Sequence, residues 1–235
     1  MQNFSTTFGN SAAEAAPVER AAFIRKTYLY LAGAILAFVA VEALLFATPA
    51  ANAILSVISA AGTMGWLLVL GGFMGISYLA NRWAMSDTSR ATQHLGLLVY
   101  IVAEAIIFVP MIAIAMYYSD ESVLLKAGIV TLGLFLGLTM TVFITRTDFS
   151  FLGPILAIGG FVALGFIIAS ALFGFSLGSV FAFAMVAFAG TAILYQTSNV
   201  LKQFNTNQHV AASLILFASI ALLFWYILNI FSSRD

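Results

Sequence analysis

The sequence predicts an all-α integral membrane protein with seven membrane-spanning helices. Of its 235 residues, 63% are hydrophobic and only 8% are charged, whereas soluble domains carry about 25% charged residues. A chain with so little charge cannot cover a water-facing surface, but it can face hydrocarbon. Apolar runs of about 20 residues, the length that a helix needs to cross a bilayer, recur along the chain. Because lipid offers no partner for backbone N–H and C=O groups, we predict that every run is α-helical.

The apolar runs account for nearly the whole chain, and no polar segment between them is long enough for a soluble domain. We expect residues 1–20 to be a flexible cytoplasmic N-terminal segment and residues 21–235 to form the transmembrane domain. The first run is too long for the apolar part of a signal peptide and contains Glu42, so we expect it to be retained. The predicted spans are residues 27–48, 62–81, 93–118, 123–145, 151–173, 176–197 and 209–231.

The basic residues predict the orientation. With the N-terminus in the cytoplasm, seven of the nine Lys and Arg residues lie on the cytoplasmic side: Arg20, Arg25, Lys26, Arg82, Arg90, Arg146 and Lys202. Lys126 and Arg234 lie on the other side. The positive-inside rule favours this arrangement. Seven spans then place the C-terminus outside, while a re-entrant last segment would return it to the cytoplasm.

Two pairs of glycines have the spacing that allows membrane helices to approach closely. They are Gly71 with Gly75 and Gly133 with Gly137. We expect these glycines to line helix contacts within one bundle; a homodimer interface is the less favoured alternative.

Glu42 and Glu104 are the two carboxylates well inside predicted spans. At 1.5 Å per residue, Glu104 lies roughly 16 Å from the inner end of its span and Glu42 roughly 22 Å from the inner end of its own. Charged residues at such depth are costly and are usually functional. Since no buried Lys or Arg is available as a partner, we expect Glu104 to be neutral. The two interpretations are a protonated structural carboxyl and a proton- or cation-responsive group in a cavity.

The inner end of the sixth span carries a polar cluster, "YQTSN", from Tyr195 to Asn199. His94 and His209 open the third and seventh spans on the same side, and Arg82 lies near the end of the second. These residues are candidates for a cytoplasmic mouth in which a histidine could act as a pH switch. Helix capping and lipid headgroup contacts are the favoured alternative.

The sequence contains no motif that predicts catalysis. A phosphate-binding glycine loop, H-E-x-x-H and G-x-S-x-G are all absent. Two His and no Cys make a structural zinc site improbable. We therefore expect no enzyme activity, no cofactor and no metal site, and the net charge of +0 gives no indication of nucleic-acid binding.

Four stretches together resemble the Bax inhibitor-1 family, and most closely its bacterial YccA-type branch. They are "AAFIRKTYLYLAGAIL", "TRTDFSFLGPIL", "AILYQTSNVL" and the terminal "SSRD". The resemblance covers the chain from Ala21 onward, and "TRTDFSFLG" is its most specific part. It implies a seven-helix bundle of Bax inhibitor-1 type in which six helices surround the seventh.

The resemblance also implies two kinds of function. The family includes pH-sensitive calcium leak proteins, and its YccA-type members modulate the membrane protease FtsH. In the leak proteins two Asp residues, on the sixth and seventh spans, form a pH-sensing latch. The first corresponds to Gln196 here and the second falls near Ser219, so both carboxylates are missing. Titration would then depend on Glu104, Glu42 or the histidines.

We carry three hypotheses for the function. The first is a modulator of membrane-protein quality control that binds an FtsH-like membrane protease, and the loss of the Asp pair places it marginally ahead. The second is a leak for Ca²⁺ or H⁺ with an altered gate. A small-molecule transporter is less favoured because the sequence has no internal repeat. In each case the lipid bilayer is the expected environment, and analogy indicates the bacterial cytoplasmic (inner) membrane.

Overall fold

A computed structural model describes residues 11–86, 89–120 and 122–233, and these residues form seven α-helices. All seven are long and apolar enough to cross a membrane, which confirms the predicted fold class. The helices are α1 (Pro17–Ala47), α2 (Ala50–Ala84), α3 (Arg90–Tyr118), α4 (Val123–Thr145), α5 (Leu152–Phe173), α6 (Gly178–Lys202) and α7 (His209–Ser232).

Helices α1 and α2 begin well before the predicted spans. α1 has 31 residues, so it is about 46 Å long and exceeds a hydrocarbon core of about 30 Å. Its start is set by Pro17, whose ring suits the first turn of a helix, rather than by hydropathy. α2 is bent at Gly62, whose φ of 55° and ψ of −147° interrupt the helix. Glycine is the residue that adopts such angles without strain.

The first described residues pack against the connection between α6 and α7. Ala12 is fully buried, and its N–H donates to the Phe204 carbonyl at 2.8 Å. Ser11 forms an isolated β-bridge with Asn205. Residues 1–10 of the expected flexible segment lie outside the described residues. The described part is packed and partly helical, because buried alanines and backbone hydrogen bonds hold it.

Helices α3 and α7 form the centre of the bundle. α7 packs against α1, α2, α3, α4 and α6, while α5 packs on α6 and α2. The arrangement therefore resembles the expected central seventh helix, but α3 shares the centre and α5 lies at the periphery. Aromatic rings fill the interior: Phe38 of α1 contacts Phe108 of α3 and Phe217 of α7, with ring centroids 5.2 and 6.0 Å apart.

The two predicted glycine pairs do not line close helix contacts. A Cβ atom built on Gly71, Gly75, Gly133 or Gly137 would meet nothing within 4 Å. The expectation of glycine-lined contacts within the bundle was therefore wrong for these residues, since they face outward. The close approach occurs instead at Gly96 of α3, where an added Cβ would lie 2.6 Å from the Ala80 carbonyl oxygen of α2.

The order of the helices places the starts of α1, α3, α5 and α7 at one face of the bundle, here called the N-terminal face. An ion pair of 3.4 Å between Lys202 and Asp148 joins the end of α6 to the segment before α5 at this face. All seven basic residues expected on the cytoplasmic side belong to it, and Lys126 lies at the opposite face. Arg234 lies outside the described residues. That the N-terminal face is cytoplasmic stays a prediction.

Candidate functional site

A cavity of about 1090 Å³ lies against α7, with α2 and α3 on one side of it and α6 on the other. It exists because α2 packs on α1, α3, α5 and α7, whereas α6 packs on α4, α5 and α7. α2 and α6 therefore stand apart and leave one side of α7 uncovered. Near the face opposite the N-terminal face, the cavity is lined by polar residues: Ser176, Ser179, Asn229 and Ser233.

Three of the residues singled out from the sequence line this cavity. They are Glu104 of α3, Gln196 of α6 and Ser219 of α7. α3 thus brings the buried acid to the same cavity as the two positions on α6 and α7 that match the family's Asp pair.

Glu104 is surrounded by polar groups from α2 and α3. The residue is 6% exposed, and the hydroxyl of Tyr100, one turn earlier, lies beside both its carboxyl group and Ser77. Glu104 Oε2, Ser77 Oγ and Asn81 Oδ1 have no hydrogen-bond partner among the described residues. Buried polar atoms without protein partners are usually satisfied by water, provided that the space is large enough. The cavity supplies that space.

The walls of the cavity offer Glu104 no counter-charge. Among the described lining residues none is Lys, Arg or His. A buried carboxylate without a cation is costly, so the site favours the neutral form of Glu104. In this form the carboxyl group can exchange its proton with water in the cavity.

Neither Gln196 nor Ser219 can replace the missing carboxylates in a titration. Ser219 Oγ donates to the Ile215 carbonyl of its own helix at 3.0 Å. Gln196 Oε1 accepts from Asn199 Nδ2 at 3.5 Å. Both side chains supply neutral hydrogen-bonding groups to the cavity wall.

Glu42 does not line this cavity. It is 6% exposed, and neither carboxylate oxygen has a hydrogen-bond partner among the described residues. Glu42 lies one turn beyond Phe38 on α1, while Glu104 lies one turn before Phe108 on α3. Because α1 and α3 run in the same direction and the two rings are in contact, Glu42 lies farther from the N-terminal face than the rings and Glu104 lies closer to it. This agrees with the different depths estimated for the two acids from the sequence.

Toward the N-terminal face, the cavity wall ends at Gln196 on α6 and at Leu214 on α7, whereas on α2 it continues to Asn81. On α6, residues 197–201 are all buried, and on α7, residues 210–213 are buried as well. The polar part of "YQTSN" therefore packs inside the bundle rather than forming an open mouth. Ser198 Oγ, for example, accepts the Phe149 N–H at 3.1 Å. On α6 and α7, buried residues thus lie between the cavity and the N-terminal face.

The two histidines expected at the mouth meet around Tyr30. The Tyr30 hydroxyl lies 2.9 Å from His94 Nε2, and the Tyr30 ring contacts His209 with centroids 5.0 Å apart. Arg82 is exposed and lines neither this group nor the large cavity. The structure thus brings together His94 and His209, but not Arg82.

Sequence reasoning missed Tyr100 and Ser77, which lie beside Glu104, and Asn81, which lies farther along the cavity wall. A signal for them was present, because Tyr100 and Glu104 are four residues apart, as are Ser77 and Asn81. That spacing places each pair on one helix face. Which faces meet could not be read from the sequence.

Comparison with known proteins identifies the family. Residues 20–235 match the sequence profile described as "Inhibitor of apoptosis-promoting Bax1". An uncharacterized protein of Pseudomonas aeruginosa is 31% identical over 170 residues, which cover 70% of this chain and 72% of the relative. Bax inhibitor 1 of Schizosaccharomyces pombe is 27% identical over 225 residues, covering 93% of this chain and 79% of the relative. Protein LIFEGUARD 4 of Arabidopsis thaliana is 27% identical over 226 residues, covering 93% and 87%. The chain therefore belongs to the Bax inhibitor-1 family, as the resemblance predicted.

Proposed function

We propose that this protein is a proton leak whose path follows the large cavity and passes Glu104. The observation that supports the proposal is the common location of Glu104, Gln196 and Ser219 on one cavity that carries polar residues toward the face opposite the N-terminal face. A carboxyl group with an unpartnered oxygen in such a cavity can take up a proton from water and release it again.

The cavity chemistry favours H⁺ over Ca²⁺ as the transported ion. Ca²⁺ binds six to eight oxygen ligands, usually including several carboxylates. Among the described residues, Glu104 is the one carboxylate that lines the cavity. A single carboxyl is sufficient for proton exchange, whereas it would leave a dehydrated divalent cation poorly coordinated.

In this proposal the buried layer formed by residues 197–201 and 210–213 is the gate. Protons reach Glu104 from the face opposite the N-terminal face through water in the cavity, and Ser219 lies near the depth of Glu104 on the facing helix. Passage to the N-terminal face requires α6 and α7 to separate at this layer. The structure then corresponds to a closed state.

Proton flux into proteoliposomes tests the proposal, with an interior pH dye and a K⁺ diffusion potential as the driving force. We expect Glu104→Gln to reduce the flux by about tenfold or more, since an amide cannot carry the proton. Glu42→Gln is the matched control because it removes a buried carboxyl outside the cavity, and we expect its flux to match that of the wild type. Equal effects of the two substitutions, or no effect of Glu104→Gln, would contradict the proposal.

A Ca²⁺-sensitive dye in the same vesicles tests the alternative ion. Ca²⁺ entry that depends on Glu104 would show that the transported ion is Ca²⁺ rather than H⁺. The protease-modulator hypothesis stays a prediction, and retention of an FtsH-like protease during purification in mild detergent would support it.

A further inference from the structure

A second cavity, of about 410 Å³, lies at the N-terminal face and is polar and basic. Among the described residues its lining contains three basic side chains and no acidic one. The lining residues are Lys26, Ser89, Arg90, Gln93, Thr206, Asn207 and His209. They come from α1, α3, α7 and the segments that precede α3 and α7, so the cavity is assembled by the fold rather than by one stretch of sequence.

The basic groups of this cavity lie close together and are not neutralised by described acids. Lys26, Arg90 and His94 are each near enough to His209 to act on it electrostatically. The ion pairs formed by the described residues involve Lys126 and Lys202, not these groups. Lys26 and Arg90 carry like charges, and no described acid pairs with either of them, so an anion bound between them would relieve their repulsion.

Two helix N-termini add to the positive potential. Arg90 and His209 are the first residues of α3 and α7, and the backbone N–H groups of a first helical turn lack partners within the helix. The partial positive charge of each helix start favours a bound anion. The Ser89 and Thr206 hydroxyls and the Asn207 amide supply further hydrogen-bond donors at the same place.

The cavity lies at one end of the bundle, where we expect lipid headgroups. Arg90 and His209 are the first residues of helices that are long and apolar enough to cross a membrane. On α1, Leu29 and Leu36 continue along nearly the same side of the helix from Lys26 toward the membrane centre, and they are 64% and 70% exposed. An anion in the cavity could therefore be attached to acyl chains lying on this apolar strip.

We propose that this basic cavity binds a phosphate group, and that the phosphate belongs to the headgroup of an anionic phospholipid such as phosphatidylglycerol. Soluble inorganic phosphate offers the same chemistry, but it would make no use of the apolar strip. Arg90 is suited to bidentate contact with phosphate oxygens, and Lys26 to a point contact.

Native mass spectrometry of the full chain in detergent, titrated with phosphatidylglycerol or phosphatidylcholine, tests this site. We expect phosphatidylglycerol to bind more tightly than phosphatidylcholine, and the double substitution Lys26→Gln with Arg90→Gln to weaken its binding about tenfold. The control is Arg82→Gln with Arg146→Gln, which removes two exposed charges from the same face outside the cavity. A charge-conserving pair, Lys26→Arg with Arg90→Lys, should retain most of the binding and shows whether the fold tolerates changes there.

Competition with inorganic phosphate separates the two sources of the anion. Displacement of phosphatidylglycerol only at a large excess of phosphate supports a lipid site. Equally tight binding of inorganic phosphate keeps the phosphate site but overturns its assignment to a lipid. The proposal fails altogether if the two double substitutions weaken phosphatidylglycerol binding equally, or if phosphatidylcholine binds as tightly.

Discussion

Gly96 is the residue at which α2 and α3 come closest together. A Cβ atom there would lie 2.6 Å from the Ala80 carbonyl oxygen, 2.8 Å from the Ala84 nitrogen and 3.0 Å from the Trp83 Cβ. Two of these atoms belong to the α2 backbone, which cannot yield without moving the helix. Gly96 therefore fixes how α2 lies against α3, and α2 carries one wall of the large cavity.

We expect Gly96→Ala to destabilise the protein by about 2 kcal/mol, the usual cost of overpacking a close contact. Thermal unfolding in detergent, followed by circular dichroism, measures the change. Gly133→Ala is the matched control because its Cβ would meet nothing within 4 Å, and helix propensity alone should leave it as stable as the wild type or slightly more so. Equal melting temperatures for the two variants would contradict this account of the α2–α3 contact.

At the scale of elements, the segment between α4 and α5 is attached to the end of α6. Phe149 N–H donates to Ser198, Asp148 pairs with Lys202, and a Cβ on Gly153 would touch the Tyr195 ring at 3.2 Å. Two of the stretches that carried the family resemblance, "TRTDFSFLGPIL" and "AILYQTSNVL", thus pack against each other. Their chemistry is first of all structural, since it positions the end of α6 that closes the large cavity.

The Asp148 carboxylate makes this attachment sensitive to acid. Hydrogen bonds from the Ser150 backbone N–H and hydroxyl, together with Lys202, hold the pKa of Asp148 below its usual value of 3.8. Because the folded pKa is the lower one, the stabilisation is present above pH 3.8 and is lost as the pH falls through the folded value.

We therefore expect the wild type to melt at a slightly higher temperature than Asp148→Asn near neutral pH, with the difference shrinking as the pH falls below 3.8. Asp148 is exposed, so the difference should be small. Melting curves of the two proteins over a pH series measure it. A difference that stays constant or grows in acid would show that the carboxylate does not act in this way.

At the scale of the whole molecule, hydropathy alone predicted the seven spans, because lipid leaves a long apolar segment no alternative to a helix. It could not predict that α1 begins at Pro17, nor that α2 begins at Ala50 and continues through a bend at Gly62, where the predicted span began. The family resemblance identified Gln196 and Ser219, and burial cost identified Glu104. That these three residues share a cavity depends on how α2 and α6 diverge around α7, and nothing in the pattern of a single helix encodes that.

The basic cavity is a second case in which the sequence indicated single residues but not how the helices bring them together. Lys26, Arg90 and His209 were each placed at the N-terminal face by the chain order, and Lys26 and Arg90 counted only toward orientation. Their meeting in one cavity follows from the packing of α1, α3 and α7. Because the surface that faces the bilayer carries so few charges, we expect function at the places where polar side chains from several helices meet.

The most direct test of the central claim is whether water from the face opposite the N-terminal face reaches Ser219. Because the chain contains no cysteine, Ser219→Cys provides a single thiol on the cavity wall, and Ser213→Cys provides a control at a fully buried position outside it. Reaction with a membrane-impermeant thiosulfonate is measured from each side of reconstituted vesicles. We predict rapid labelling of Ser219→Cys only from the face opposite the N-terminal face, accompanied by loss of proton flux, while Ser213→Cys stays unlabelled. Labelling of Ser219→Cys no faster than that of Ser213→Cys would contradict a water-filled path to Glu104.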